Sequence, residues 1–300
     1  MIILFVLYVV FFILYHGLKI FNNSLEETQY YHNRLISKFE GGTDNKLESC
    51  LKFCCMSSIL YKWDNSSNTF NHFDKYIPDV NSIKIIQGLD IIGNVCNAGA
   101  VFETQSFIFI SFISTSNISD LLFGYKSSLV DVDNGLIHEG FYQKANSVYT
   151  SLLFILNELS SKKPLIITGH SLGGAIASII GFMLIKDFGN RFGKIDVFTF
   201  GSPKWGNCQL KRFLEKKSYI LSITNIVNTA DFIVTKPNDC VYKTIGKNVK
   251  RRIDTGNDII NHGIKVYLEL IKSGNGKNIP KRKYRVDEIT FSLLINFFGN

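Results

Sequence analysis

Ser171 is framed as Gly169-His170-Ser171-Leu172-Gly173, between the apolar run Leu165-Ile166-Ile167-Thr168 and a small-residue apolar stretch that begins at Leu172. The pattern predicts a strand–turn–helix elbow, where the backbone crowds itself and the flanking positions need residues without side chains. Such a turn lifts the serine oxygen above the sheet, near the positive end of the following helix. The chemistry on offer is nucleophilic. A serine hydroxyl attacks a carbonyl once a base removes its proton, and that base needs an orienting acid. In elbows of this kind the acid and then the histidine follow the serine along the chain. Of the six histidines (His16, His32, His72, His138, His170 and His262), His262 alone lies beyond Ser171. His170, beside the serine on a tight turn, reads as elbow scaffolding.

The acid should follow a strand between Ser171 and His262. Asp231 does so, after Ile223-Thr224-Asn225-Ile226-Val227. Asp196 is the main competitor, but it sits near the start of its strand and therefore at the other edge of a sheet. Asp239, Asp254 and Asp258 fall in loops, and the last two are close to His262 in sequence.

Holding these residues together needs a framework, and the hydrophobic pattern supplies one. Residues 25–38 and 46–63 carry apolar side chains at helical spacing. Residues 83–86, 100–102 and 106–113 read as strands, the last almost wholly apolar, as a buried central strand should be. Residues 140–159 form an amphipathic helical pattern, residues 195–200 and 220–227 are further apolar strands, and residues 259–272 read as one helix. Strands alternating with helices imply an α/β domain with a mostly parallel central sheet covered on both faces. Ligand chemistry then belongs at the carboxyl ends of the strands, where Ser171 falls.

The 300 residues, 46% hydrophobic, suit one good-sized domain, assigned here to residues 23–300. The net charge of +8 is concentrated late, in the run Lys247–Arg252 and in Lys281-Arg282-Lys283. No aromatic-interleaved nucleic-acid motif accompanies it, so the basic runs read as solvated surface, with anionic lipid headgroups as a secondary partner. Residues 1–14 carry no charge, which is short for a membrane span and right for the core of a secretory signal. A basic leader and a small-residue cleavage site are missing, so residues 1–22 read as a signal peptide or an uncleaved anchor. Both place the chain in the secretory pathway, where the sequons at Asn22, Asn65 and Asn117 would be glycosylated. Six cysteines, an even number, lead one to expect disulfides, with the pairing open. There is no paired C-x-x-C with downstream histidines for zinc.

Four separated stretches in order carry a resemblance. They are Ile137-His138-Glu139-Gly140-Phe141, the elbow Gly169–Ala175, Thr199-Phe200-Gly201-Ser202-Pro203 with Trp205-Gly206-Asn207, and Asn228–Pro237. Together they resemble the fungal-type, class 3 triacylglycerol lipases of the α/β-hydrolase fold, over roughly residues 45–270. The resemblance implies Ser171 as nucleophile, Asp231 as orienting acid and His262 as general base and then acid. It implies an oxyanion hole from Thr115 and the amide of Leu172, although Ile113-Ser114 stands where the family has Arg-Gly. His138 matches a scaffold position. Ile118, Leu121, Leu122 and Phe123 would form a lid, an apolar face that covers the nucleophile in water and beds into lipid at an interface. The implied activity is hydrolysis of lipid esters at a membrane or droplet surface through an acyl-enzyme, with transient membrane association. No metal, cofactor or nucleic acid is implied. Phospholipase, galactolipase and feruloyl-type esterase activities stay open, as does an inert lipid- or partner-binding relative.

Overall fold

The apolar run after Pro164 becomes the middle of a seven-stranded sheet. The computed structural model describes residues 46–60, 80–89, 93–114, 128–159 and 163–273. In chain order these form α1 (Lys46–Leu60), β1 (Val80–Leu89), β2 (Val95–Thr104), β3 (Ile108–Phe112), β4 (Leu129–Asp131), β5 (Leu136–His138), α2 (Glu139–Glu158) and β6 (Leu165–His170). There follow α3 (Leu172–Phe188), β7 (Ile195–Phe200), α4 (Cys208–Lys216), β8 (Leu221–Asn228), a 3-10 turn (Ile233–Thr235), β9 (Lys247–Arg251), α5 (Asp258–His262) and α6 (Ile264–Lys272).

The sheet order is β1-β2-β3-β6-β7-β8-β9; the first two pairings are antiparallel and the rest parallel. All residues of β3 and β6 are buried, because helices cover both faces. Alternate side chains serve opposite layers: Leu165 and Ile167 join the cluster containing α2, α3 and α4, while Ile166 joins the one containing α1 and α6. The fold is that of an α/β-hydrolase, with a mostly parallel central sheet. Register sets the site. Gly169 pairs with Thr199, Phe200 with Ile226 and Asn228 with Arg251, so the carboxyl ends of β6, β7 and β8 finish side by side.

Three expectations change. The segment 259–272 is two helices: at Gly263 the backbone is extended (φ −65°, ψ 144°). Asn257 caps the first, its side chain accepting from the amides of Ile259 and Ile260. The break frees α5, which ends at His262, from the direction of α6, which packs Val266, Tyr267 and Leu270 into the core. Second, the basic run Lys247–Arg251 is an edge strand with Lys247 and Lys250 exposed, so the run is both sheet and solvated surface. Third, none of the six cysteines is in a disulfide. Cys50, Cys54 and Cys55 lie within one buried helix, where they pack as small hydrophobes against the sheet; Cys54 Sγ is 3.5 Å from Thr168 Oγ1. Burial pushes the Cys54 thiol up to about 11, which removes it as a thiolate nucleophile.

Among the described residues no helix is long and apolar enough to cross a membrane. The expected leader or anchor, the helix over 25–38, the three sequons and Lys281-Arg282-Lys283 all lie outside the described residues.

Candidate active site

Ser171 adopts φ 55°, ψ −127°, a positive-φ conformation costly for a residue with a side chain. Its amide donates to Phe200 O (2.9 Å), and its carbonyl accepts from the Gly174 amide (3.0 Å), fixing the turn from both sides. The glycines are there by steric necessity. A Cβ on Gly169 would lie 2.1 Å from the Gly173 carbonyl, and one on Gly173 would lie 2.5 Å from Phe112 O. Leu172 opens α3, so its N–H is among those a helix start leaves without an intrahelical acceptor.

Three side chains predicted from chain order meet at this turn. His262 Nε2 is 2.8 Å from Ser171 Oγ, and His262 Nδ1 is 2.7 Å from Asp231 Oδ2. A carboxylate only accepts, so Nδ1 carries the proton and Nε2 presents its lone pair to the serine hydroxyl. All three residues are buried, where the low local dielectric strengthens such contacts.

Asp231 is held on both oxygens. Oδ1 accepts from the Ile233 amide (2.9 Å), and Oδ2 accepts from Tyr267 Oη (2.7 Å) as well as from His262. Burial, then the Asp231 charge, drives the Tyr267 phenol well above its usual range, so it keeps its proton, donating to Asp231 and accepting from the Asn228 amide (3.4 Å). Room for this cluster comes from Gly201, at φ 61°, where a Cβ would lie 2.9 Å from Asp231 Oδ2 and 3.1 Å from His262 Cε1.

A second tier of amides ties acid and base together. Asn228 donates to Ile253 O (2.9 Å) and Asn261 O (3.0 Å) and accepts from the amides of Ala230 and Ile253. Asn261, the residue before His262, donates back to Ala230 O (3.2 Å). His170 Nε2 lies 2.7 Å from His262 O, with ring centroids 4.7 Å apart. Desolvation, then the neighbouring His262, lowers the pKa of His170 to about 3, so it stays neutral and donates Nε2–H to that carbonyl. The sequence offered no sign of these duties for Tyr267, Asn228 or Asn261; their only local signal was a polar residue inside an apolar element.

The other acids stand elsewhere. Asp196 faces Lys46 (3.9 Å) and Lys194 (3.7 Å) near the start of β7. Asp239 accepts from the Val241 amide, Asp254 pairs with Arg252 at 2.7 Å, and Asp258 opens α5. His138 is buried and stacks on Phe141 at 4.1 Å; burial lowers its pKa to about 4. Thr115 and the lid residues Ile118, Leu121, Leu122 and Phe123 lie outside the described residues, as do His16, His32 and His72.

Against known families, residues 109–240 match the model described as Lipase (class 3). This stretch belongs to the class 3 lipase family. Among curated proteins, the chain is 27% identical over 150 residues to secreted mono- and diacylglycerol lipase 1 of Fusarium solani, covering 47% of this chain and 44% of that one. It is 28% identical over 169 residues to the chloroplastic phospholipase A(1) DAD1 of Arabidopsis thaliana, covering 48% and 36%. The chain thus spans less than half the length of these relatives. Among solved structures, the lipase of Rhizopus microsporus var. chinensis superposes with a TM-score of 0.55 at 20% identity, over 71% of this chain and 77% of that one. At that identity the likeness speaks for the fold alone.

Proposed function

We propose that this class 3 lipase-family protein is a serine hydrolase that cleaves carboxylic esters of lipids through an acyl-enzyme. The observation that carries the reading is the relay Ser171–His262–Asp231, at 2.8 and 2.7 Å, on a positive-φ elbow. Ser171 Oγ attacks the ester carbonyl while its proton passes to His262 Nε2, and Asp231 stabilises the imidazolium. The carbonyl oxygen becomes an oxyanion, received by the amide of Leu172 at the helix start and by Thr115. Collapse breaks the acyl–oxygen bond; His262 gives its proton to the leaving alcohol, and Ser171 holds the acyl group. Water then attacks, His262 takes its proton, and the second collapse returns Ser171 and releases the acid.

The lipid part of the proposal draws on relatives named as a mono- and diacylglycerol lipase and a phospholipase A(1). Both act on glycerolipid acyl esters by name, so the substrate is an acylglycerol or a phospholipid. The apolar Ile118, Leu121, Leu122 and Phe123 supply a lid that uncovers the site at a lipid surface. Secretion is part of the proposal, through an N-terminal leader or anchor within residues 1–22, and it agrees with the word "secreted" in the name of the Fusarium relative.

The test is covalent labelling by a fluorophosphonate, with hydrolysis assayed on acylglycerol and phosphatidylcholine emulsions. Label should map to Ser171, and Ser171→Ala should lose it together with about a million-fold in turnover. A folded wild-type protein that neither labels nor hydrolyses any of these esters would instead be an inert lipid or partner binder.

A further inference from the structure

The chain after Pro203, the first turn of α4 and residues 238–248 line an open cavity of about 420 Å³. Its walls include Lys204, Lys211, Lys243, Asn238 and Asn248, with Asp239 as the acid among its lining residues. The three lysines are half-buried, so their ammonium groups have lost part of their water. Lys204 Nζ donates to Pro237 O (3.4 Å) and Lys243 Nζ to Cys240 O (2.6 Å), while Lys211 Nζ is 4.0 Å from Glu215 on its own helix. Carbonyls orient an ammonium without neutralising it. Lys211 has the Glu215 carboxylate beside it, so three cations against Asp239 and Glu215 leave the concavity with one positive charge in excess, on the side of Lys204 and Lys243. Such like charges repel unless an anion lies between them.

A second observation gives the cavity a fixed donor. Buried Asn225 donates through Nδ2 to Asn248 Oδ1 (3.1 Å), and its own Oδ1 accepts from Thr199 Oγ1 (2.8 Å). With Asn248's oxygen engaged on the strand side, its NH2 group is the end that remains to serve a ligand. Compact ammonium groups around an amide donor suit a small, multiply charged oxyanion, for which lysine acts as a point charge.

We propose that this cavity binds a phosphate group, with Lys204, Lys211, Lys243 and Asn248 as its ligands. A phosphate can reach it free in solution or on the headgroup of an anionic lipid, and two arms of one experiment tell these apart. The first titrates the full chain with inorganic phosphate by calorimetry at low salt. The second measures co-sedimentation with phosphatidylcholine vesicles, with and without phosphatidic acid. The double variant Lys204→Gln/Lys243→Gln should weaken binding roughly a hundredfold, about tenfold for each charged hydrogen bond lost. Lys211→Gln, a single change on the half-buried first turn of α4, should weaken it about tenfold and guards against a folding defect in the double variant. Binding in the first arm that falls in the variants assigns a soluble phosphate. Binding that requires phosphatidic acid and falls in the variants assigns a headgroup. Absence of binding in both arms, or equal binding by wild type and variants, overturns the proposal. Ser171→Ala should bind as wild type does, so the outcome stands apart from that of the esterase reading.

Discussion

The two halves of the candidate site are positioned by different physics. On the serine side, the end of β6 and the start of α3, the backbone is forced into place by crowding; Gly169 and Gly173 leave no space for a methyl group. On the acid–base side, the end of β8 and α5, hydrogen bonds do most of the positioning, with Gly201 leaving room beside them. Asp231 has three donors, and the Asn228 side chain makes four contacts, three of which join β8 to the segments around Ile253 and Asn261. Crowding acts partly between residues a few positions apart, Gly169 against Gly173, and partly against the end of β3, where Gly173 meets Phe112. The network spans residues 228–267 and exists only once the chain has folded. A nucleophile needs a fixed oxygen, which a strained turn provides; a base that shuttles protons needs a fixed orientation and a settled tautomer, which hydrogen bonds provide.

That contrast can be broken by substitution. Asp231→Asn should have the largest effect on rate: it keeps the shape but favours the wrong imidazole tautomer, lowering turnover about ten-thousand-fold while thermal unfolding moves little. A mild loss here, with Asp196→Asn crippling, would transfer the acid role to the other end of β7. Gly169→Ala should act through the fold instead. Its methyl would overlap the Gly173 carbonyl, so destabilisation should exceed about 4 kcal/mol in denaturant titrations. An alanine variant within about 1 kcal/mol of wild type would refute steric control of the elbow.

Tyr267→Phe sharpens the comparison from the network side. Removing one donor from Asp231 should cost about tenfold in kcat/KM and move the acidic limb of its pH profile upward, because the relieved carboxylate binds the imidazolium more tightly. An unchanged profile with lowered stability would reduce Tyr267 to a packing residue.

A separate effect is in the pH dependence of stability. His170 and His138 are buried and neutral, with pKa values lowered by desolvation to about 3 and about 4. The unfolded chain therefore binds their protons first. Stability is complete above the ordinary histidine range near 6.5 and falls as pH drops toward 4, by roughly 1.4 kcal/mol per pH unit for each histidine. Urea titrations between pH 7 and 4.5 should give a slope approaching two protons, and His170→Asn should remove one of them. A variant slope equal to that of wild type would show that His170 is already charged in the fold.

How much of this was legible in the sequence follows the same division. The elbow could be read because its cause is local: two glycines, a strand before and a helix after. His262 could be selected by chain order alone, and Asp231 by its place after a strand. Tyr267 could not, since an aromatic residue among Val266, Leu268 and Leu270 looks like ordinary core until its hydroxyl is seen on Asp231. α4 was hidden because it is short and buries little beyond Leu210 and Leu214, although Asn207 caps it at 2.9 Å. β9 was hidden because an open edge favours lysines, which blunt strand pairing and erase the apolar signature. The even cysteine count misled because counting ignores that Cys50, Cys54 and Cys55 share one helix face-to-sheet interface.

The break at Gly263 has a bearing on how the molecule is made. His262 reaches Ser171 across 91 positions of chain, and its carbonyl docks on His170. During synthesis the serine turn leaves the ribosome well before the imidazole that would draw off its proton. In the folded chain α5 is seated against β8 through the Asn228 contact to Asn261. Until residue 262 has been added, a growing chain carries Ser171 without His262 beside it, so the relay cannot form.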